Sequence, residues 1–296
     1  LSLARKAFPN CKKLDKWEIL SGGAFNTTYR LQIGPDSFVL RLYVRGRSHC
    51  KTEKAIHQLI YNNVLTPKLI YSNELYEPWA YSIFEFVSGS HISELPSNHK
   101  TSLCYQLGST LGFIHAFKFE KAGLFSEGIT ISKPFAKGSS PYFEETLSLL
   151  SKGKNVRDRL GDRLRDKTLA FIQKNKDFFP KIEDNICLTH SDFKPLNLLS
   201  NDAGKIFVLD WEFAHAGIGI FDFSILLRHR DQFPFDLDAL REGYATSGGK
   251  LPDEWFRSAL ITDFLNIVTL LDTPSERPKL FHQLKSVIKT TMDSWD

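Results

Sequence analysis

The sequence predicts an α+β fold in two lobes, and three observations carry that expectation. The first part of the chain strings together short runs rich in β-branched and aromatic residues, "KWEIL", "TTYRLQI" and "SFVLRLYV", bounded by turn signals. After "VSGS" the spacing becomes helical, with Leu103, Leu107, Leu111 and Ile114 recurring in "TSLCYQLGSTLGFIHAF". Two short apolar runs, "NICLTH" and "KIFVLD", then enclose a segment crowded with polar side chains. The expected division is a small, mostly antiparallel N-terminal lobe with one helix, residues 1–87, and a larger, mainly helical C-terminal lobe, residues 88–296. A hinge is expected at about 84–90.

Each element has its own reason. "GPDS" at Gly34–Ser37 is a turn signal, so the second and third strands are expected to form a hairpin. Ile56, Leu59 and Ile60 in "HCKTEKAIHQLIYNN" have helical spacing, and "PKLIYSNE" and "AYSIFEFV" return to strand. Beyond the hinge, residues 142–152 read as helix and the charged stretch 155–178 as one exposed helix. "ISKPFAKGSSP" (131–141) reads as a flexible loop. Everything after Phe221 reads as helix, broken at "SGGKLPD".

Composition narrows the function classes. A chain of 296 residues with a net charge of +4 carries no nucleic-acid signature. No apolar run reaches the roughly 18 residues that span a bilayer. "LSLARKAFPNCKKLDKW" lacks the continuous apolar centre of a signal peptide. The four cysteines are far apart without a C-x-x-C pair, as free thiols in a reducing compartment would be, so a cytoplasmic location is expected. Residues 1–88 hold 12 Lys+Arg against 7 Asp+Glu, and residues 216–296 hold 9 against 12. Such a basic front suits an anionic co-substrate, and ordinary solvated surface explains the acidic tail equally well.

The polar segment carries the chemistry. Asp192 and Asn197 lie five apart in a loop after a strand, and Asp210 ends the next strand. That arrangement brings hard oxygen donors to one edge, which suits Mg2+. Asp192, left free of metal, can accept the proton of an attacking hydroxyl. The alternation of "FVLRLYV" puts Arg41 on one strand face with Val39 and Tyr43, where a cleft residue belongs.

"HSDFKPLN" has the H-x-D-x-x-x-x-N form of a kinase catalytic loop, and "VLDWE" stands where kinases place D-F-G. With "DWE" there, the chain resembles the aminoglycoside phosphotransferase/choline kinase family of the protein-kinase-like fold. "LSGGAFNTTYRL" is similar to that family's Gly-rich hairpin, "IFEFVSG" to its hinge, "LGSTLGFIHAF" to its L-x-x-L-H helix and "GIGIFDFSILL" to the segment after the metal Asp. The resemblance implies a Mg2+-dependent kinase using ATP, with GTP as the other nucleotide, and a small-molecule hydroxyl as acceptor. It implies Asp192 as base or hydroxyl orienter and Asn197 and Asp210 as Mg2+ ligands. His190 and Asp222 would support the loop. Gly23, Ala24, Phe25 and Asn26 would cover the phosphates, Arg41 paired with Glu53 would hold them, and the backbone of Glu85 and Val87, after Phe84, would meet the base. Glu212 reads either as a supporting or surface carboxylate or as a contact to magnesium or its water. Two departures stand out. Arg41 replaces the usual phosphate-binding Lys, a change some relatives share, and Lys194 follows the catalytic Asp by two, where it reads equally as a cation for the transferring phosphoryl group or as simple loop charge.

Three function classes follow. The first is a kinase acting on an aminoglycoside, with choline, ethanolamine, a sugar or homoserine as alternative acceptors. A polycationic acceptor would need carboxylates, for which Asp231, Asp236, Asp238, Glu242, Asp253 and Glu254 are candidates. A choline cage could use Trp255, Phe256 and Phe264. The second is a protein kinase, for which Lys194 is the only support. The third is a nucleotide-binding pseudokinase, against which Asp192, Asn197 and Asp210 all stand. No feature points to a nucleic acid or a membrane as partner, and the oligomeric state is left open.

Overall fold

The computed structural model describes residues 2–20, 26–44, 46–95, 100–183 and 185–295. In chain order its elements begin with α1 (Ser2–Ala7), β1 (Lys16–Ile19), β2 (Thr27–Ile33), β3 (Asp36–Leu42), α2 (Arg47–Ile60), β4 (Leu69–Asn73), β5 (Tyr81–Glu85) and β6 (Ser90–His91). Next come α3 (Lys100–His115), β7 (Gly123–Phe125), β8 (Ile131–Pro134), α4 (Pro141–Lys152), α5 (Lys154–Leu160), α6 (Asp162–Lys174) and β9 (Cys187–Thr189). The chain finishes with β10 (Leu198–Ser200), β11 (Ile206–Val208), β12 (His215–Gly217), α7 (Ile220–Leu227), α8 (Leu237–Thr246), α9 (Trp255–Asp272) and α10 (Pro278–Asp293). The fold is α+β. Two compact units are distinguished, each discontinuous in sequence.

The first unit comprises Leu1–Ser97, Gly123–Lys133 and Pro195–His215. Its main sheet has the order β1-β2-β3-β5-β4, antiparallel throughout. The β2–β3 hairpin closes with Ile33 opposite Asp36, and Gly34 at the turn has φ 59°. That left-handed conformation is one a glycine adopts without a Cβ penalty. Strand alternation sorts the side chains. Leu31, Leu40, Tyr81 and Ile83 bury one face together with Ala4 of α1, a short helix the sequence reading did not foresee. Tyr43, Cys50 and Ala80 form a separate buried cluster. A second, small antiparallel sheet has the order β11-β10-β6 and includes β11, the second of the polar segment's two flanking strands.

The second unit, Asn98–Ala122, Pro134–Lys194 and Ala216–Asp296, is mainly helical. Helix α3 packs on α8, and α9 packs on α4, α5 and α7. The α3–α8 crossing is close because glycine faces backbone: a Cβ on Gly108 would lie 2.0 Å from the Leu240 carbonyl oxygen, and one on Gly243 1.9 Å from that of Tyr105. Trp255 and Phe264 are buried in this unit, 5% and 0% exposed, so core packing accounts for them.

Several expectations need correction. The stretch 155–178 is not one exposed helix. It breaks at Gly161, whose φ of 75° ends α5 before α6 begins, and Val156, Leu160, Thr168 and Ile172 are buried. Residues 131–134 form a strand within the expected flexible loop. The region after Phe221 is also interrupted between α7 and α8, and between α9 and α10. All four cysteines are buried free thiols. Among the described residues no helix is long and apolar enough to cross a membrane.

Candidate active site

In the first unit the charged centre is built on β3 and α2. Arg41 Nη1 donates to Glu53 Oε1 at 2.7 Å and to Asp210 Oδ1 at 3.0 Å. Burial opposes the charge of Arg41, but Glu53 and then Asp210 outweigh it and hold the guanidinium charged. Its Nε is buried without a hydrogen-bond partner. Glu53, 1% exposed, is fixed from several sides. The Tyr43 hydroxyl donates to its Oε2, and the Trp211 N–H donates to Oε1 at 3.4 Å. Trp211 is fully buried, and its indole N–H reaches the Thr66 hydroxyl at 3.2 Å.

The small sheet brings the two expected metal ligands together. Asn197 ends a 3-10 turn, Pro195–Asn197, and its carbonyl accepts the Leu209 N–H at 2.8 Å. Asp210 lies two residues beyond the end of β11, not at the strand's last position as expected, and turns out with φ 66°. A non-glycine residue rarely adopts that conformation, and such residues cluster at functional sites. Glu212, 7% exposed, accepts from the Asn26 side-chain amide. Burial, then the neighbouring Asp210 and, further down, Glu53, push the Glu212 carboxyl up to about 8, with Arg41 pulling it back. Three carboxylates thus share one guanidinium.

Phe84 is buried in β5, with the His57 ring 5.0 Å away and the Arg41 guanidinium 5.9 Å from its centroid. Glu85 is exposed at the strand's end, its N–H donating to the Lys68 carbonyl at 2.9 Å, and Val87 is half-buried just beyond. Gly23, Ala24 and Phe25 lie outside the described residues.

In the second unit the loop holding Asp192 is pinned from α7. Asp222, fully buried, accepts the His190 N–H at 2.8 Å and the Ser191 N–H at 2.7 Å. His115 of α3 adds its Nε2 at 3.0 Å, and its Nδ1 meets the Tyr244 hydroxyl at 3.0 Å. Burial pushes Asp222 up, but His115, His190 and the backbone N–H outweigh it, leaving its pKa below the ordinary carboxylate value. Gly219 makes room for this contact, since a Cβ there would lie 2.5 Å from His115 Nδ1. Ser191 has φ 66°, and the Asp192 N–H donates to His190 Nδ1 at 3.2 Å. Lys194 Nζ donates to Asp192 Oδ2 at 2.7 Å.

The sequence pattern shows neither Tyr43, Trp211 and Thr66 around Glu53 nor the contact of His115 with Asp222. Their contacts span 10 to 158 residues, so no local pattern announces them. The one usable signal was the shared face of Arg41 and Tyr43.

The model of the phosphotransferase enzyme family matches residues 16–260. No curated protein matches the sequence closely enough to add a nearer relative. Among solved structures, the GDP complex of aminoglycoside 2'-phosphotransferase-IIIa has a TM-score of 0.73 at 17% identity, covering 100% of this chain and 98% of that one. The streptomycin–ATP ternary complex of the 2''-aminoglycoside phosphotransferase of type IIa has a TM-score of 0.60 at 16% identity, covering 97% and 96%. A candidate fructosamine-3-kinase from Haemophilus somnus 129PT has a TM-score of 0.64 at 13% identity, covering 98% and 95%. These likenesses extend over nearly the whole chain and establish the protein-kinase-like fold. With the family model matched from residue 16 to residue 260, the chain belongs to the phosphotransferase enzyme family, kinases among which the aminoglycoside phosphotransferases are counted.

Proposed function

We propose that the protein is a Mg2+-dependent kinase moving the γ-phosphate of ATP to a hydroxyl of a small molecule. One observation carries the reading: a half-buried Arg41 bridges Glu53 and Asp210 in the unit that also holds Asn197. The guanidinium fork suits phosphate oxygens. Among the described residues no cluster of three or more His, Cys, Asp and Glu side chains is placed to hold a metal. The donor set that the family resemblance implies is one carboxamide, Asn197, and one carboxylate, Asp210. That small set fits Mg2+, which keeps water and takes phosphate oxygens for its remaining positions. The carboxyl of Glu212, lifted by burial and by Asp210, marks a surplus of negative charge that a divalent cation would relieve. When bound, the ion supplies charge neutralisation at the phosphates.

The chain's own residues divide the remaining work. Asp192 accepts or orients the acceptor's hydroxyl proton, and Lys194 lends a positive charge at the same point. Asp222 and His190 hold that loop in a conformation Ser191 would not adopt unaided. Asn26 covers the phosphates, and Phe84, Glu85 and Val87 border the base. ATP leads because it accompanies streptomycin in one related complex. The GDP complex of aminoglycoside 2'-phosphotransferase-IIIa favours GTP as a second reading. The acceptor, from aminoglycoside to choline, ethanolamine, sugar or homoserine, is a hydroxyl compound in every case.

Calorimetric titration with ATP and GTP, with and without Mg2+, tests the assignment. Wild type is expected to bind at least one nucleotide in a Mg2+-dependent way, and Asp210→Ala to lose the Mg2+ dependence. Unchanged Mg2+-dependent binding in Asp210→Ala would remove Asp210 from the metal site.

A further inference from the structure

The charges around Asp192 discriminate between acceptors. Lys194 Nζ sits 2.7 Å from Asp192 Oδ2, and both side chains are partly exposed, 32% and 20%. An ammonium supplied by the protein thus already stands beside Asp192, the residue assigned to the reacting hydroxyl. A second cation, Arg228 at the end of α7, is within electrostatic reach of Asp192. Its guanidinium is held by both carboxylate oxygens of Asp263, Nε lying 3.0 and 2.9 Å from them, and both partners are largely buried. Asp263 thus fixes Arg228 in place and is not available to a ligand's ammonium. His229 lies beside the same two cations. Burial, then Arg228 and Lys194, lower its pKa to about 4, so it adds no charge at neutral pH.

Two of the acidic side chains that would serve a polycation are already engaged elsewhere. Asp236 caps α8 through the Ala239 N–H and accepts the Thr101 hydroxyl. Glu254 pairs with Arg257 at 3.8 Å. Asp231, Asp238, Glu242 and Asp253 are exposed surface carboxylates. Around the reacting position Lys194 and Arg228 balance Asp192 and Asp263, leaving no surplus carboxylate in this group. As the acceptor's O–H proton passes to Asp192, its oxygen bonds to the γ-phosphorus and the bond to ADP breaks. The sum over these four side chains alone then becomes positive by one, a charge that meets the arriving phosphoryl oxygens and to which an acceptor ammonium would add.

The geometry points to an acceptor whose reacting hydroxyl is carried by a small anion, with a carboxylate or phosphate read by Lys194, rather than by a polycation. This inference rests on the kinase reading above, with Asp192 at the acceptor hydroxyl.

The test is ADP release from Mg-ATP with a matched set of hydroxyl compounds: D-glycerate, glycerol 3-phosphate, glycerol, 3-amino-1,2-propanediol and kanamycin. Wild type and Lys194→Gln are compared, and the ratio of the anion's to the amine's effect is read rather than the rate. The expected result is a wild-type ratio of about tenfold or more that collapses severalfold in Lys194→Gln. Glycerate exceeding glycerol 3-phosphate would identify a carboxylate as the group read, and the reverse order a phosphate. A preference for the amine or kanamycin, equal responses across the set, or a ratio unchanged in Lys194→Gln would overturn the inference and leave the kinase reading intact. Absence of both nucleotide binding and ADP release would remove the kinase reading, and this inference with it.

Discussion

Tyr43 follows Arg41 by two on the same face of the strand and gives its hydroxyl to the carboxylate that Arg41 engages. Tyr43→Phe deletes that donor and leaves Glu53 Oε2 short of a partner in a buried setting. The expected cost is about 1–2 kcal/mol in urea unfolding, together with a severalfold rise in nucleotide KM at nearly constant kcat. A stability loss with unchanged KM would confine Tyr43 to the core. Gly219 makes the complementary case in the second unit. Gly219→Ala pushes a methyl into the His115 ring, which loosens the grip of Asp222 on His190 and Ser191. Turnover should fall about tenfold or more with little change in nucleotide affinity, as misplacement of a catalytic group implies. Full turnover in that variant would separate the His115–Asp222 contact from the chemistry. At this scale the sequence revealed residue types and spacing. Arg41 was visible through strand alternation, and Glu53 through the family resemblance. Tyr244 beneath His115 was not, because 129 residues separate them.

Among the elements, the antiparallel sheet and α2 were legible because their apolar residues alternate or recur at helical spacing between clear turn signals. The failures have local causes. Gly161 interrupts a stretch whose periodicity runs through it, since α5 and α6 both carry apolar residues in near-continuous phase. Strand β8 lies in a segment with few apolar residues and is exposed for three of its four positions, so no hydrophobic pattern marks it. Helix pairing was also hidden: Gly108 and Gly243 look like weak helix positions until the α3–α8 crossing explains them. Gly243→Ala puts a methyl against the Tyr105 carbonyl, and the helices must part. We expect a loss of about 2–4 kcal/mol in chemical denaturation, with a lowered midpoint and a similar m-value. A neutral substitution would contradict the close crossing.

For the molecule as a whole, two histidines tie stability to pH. His57 is buried beside Glu53 and Arg41, and burial above all lowers its pKa to about 4. His229 is lowered to about 4 in the same way, with Arg228 and Lys194 adding to the effect. The unfolded chain takes up these protons near pH 6.5 and the folded chain only near 4. Their contribution is therefore intact above about pH 6.5 and is lost as pH falls toward 4, at up to about 3 kcal/mol for each histidine. Urea midpoints measured from pH 7.5 to 4.5 should decline, and His57→Gln should flatten part of the slope. A flat profile in wild type would mean that both rings take up protons freely in the folded state.

The central claim is that this chain transfers phosphate through Asp192. The most direct measurement is ADP release with Mg-ATP and Mg-GTP against the acceptor panel, in wild type and Asp192→Ala, with nucleotide binding by both proteins measured in parallel. Acceptor-dependent release is expected in wild type and should fall by about 10²-fold or more in Asp192→Ala while nucleotide binding persists. Acceptor-dependent release that survives intact in Asp192→Ala would contradict the claim.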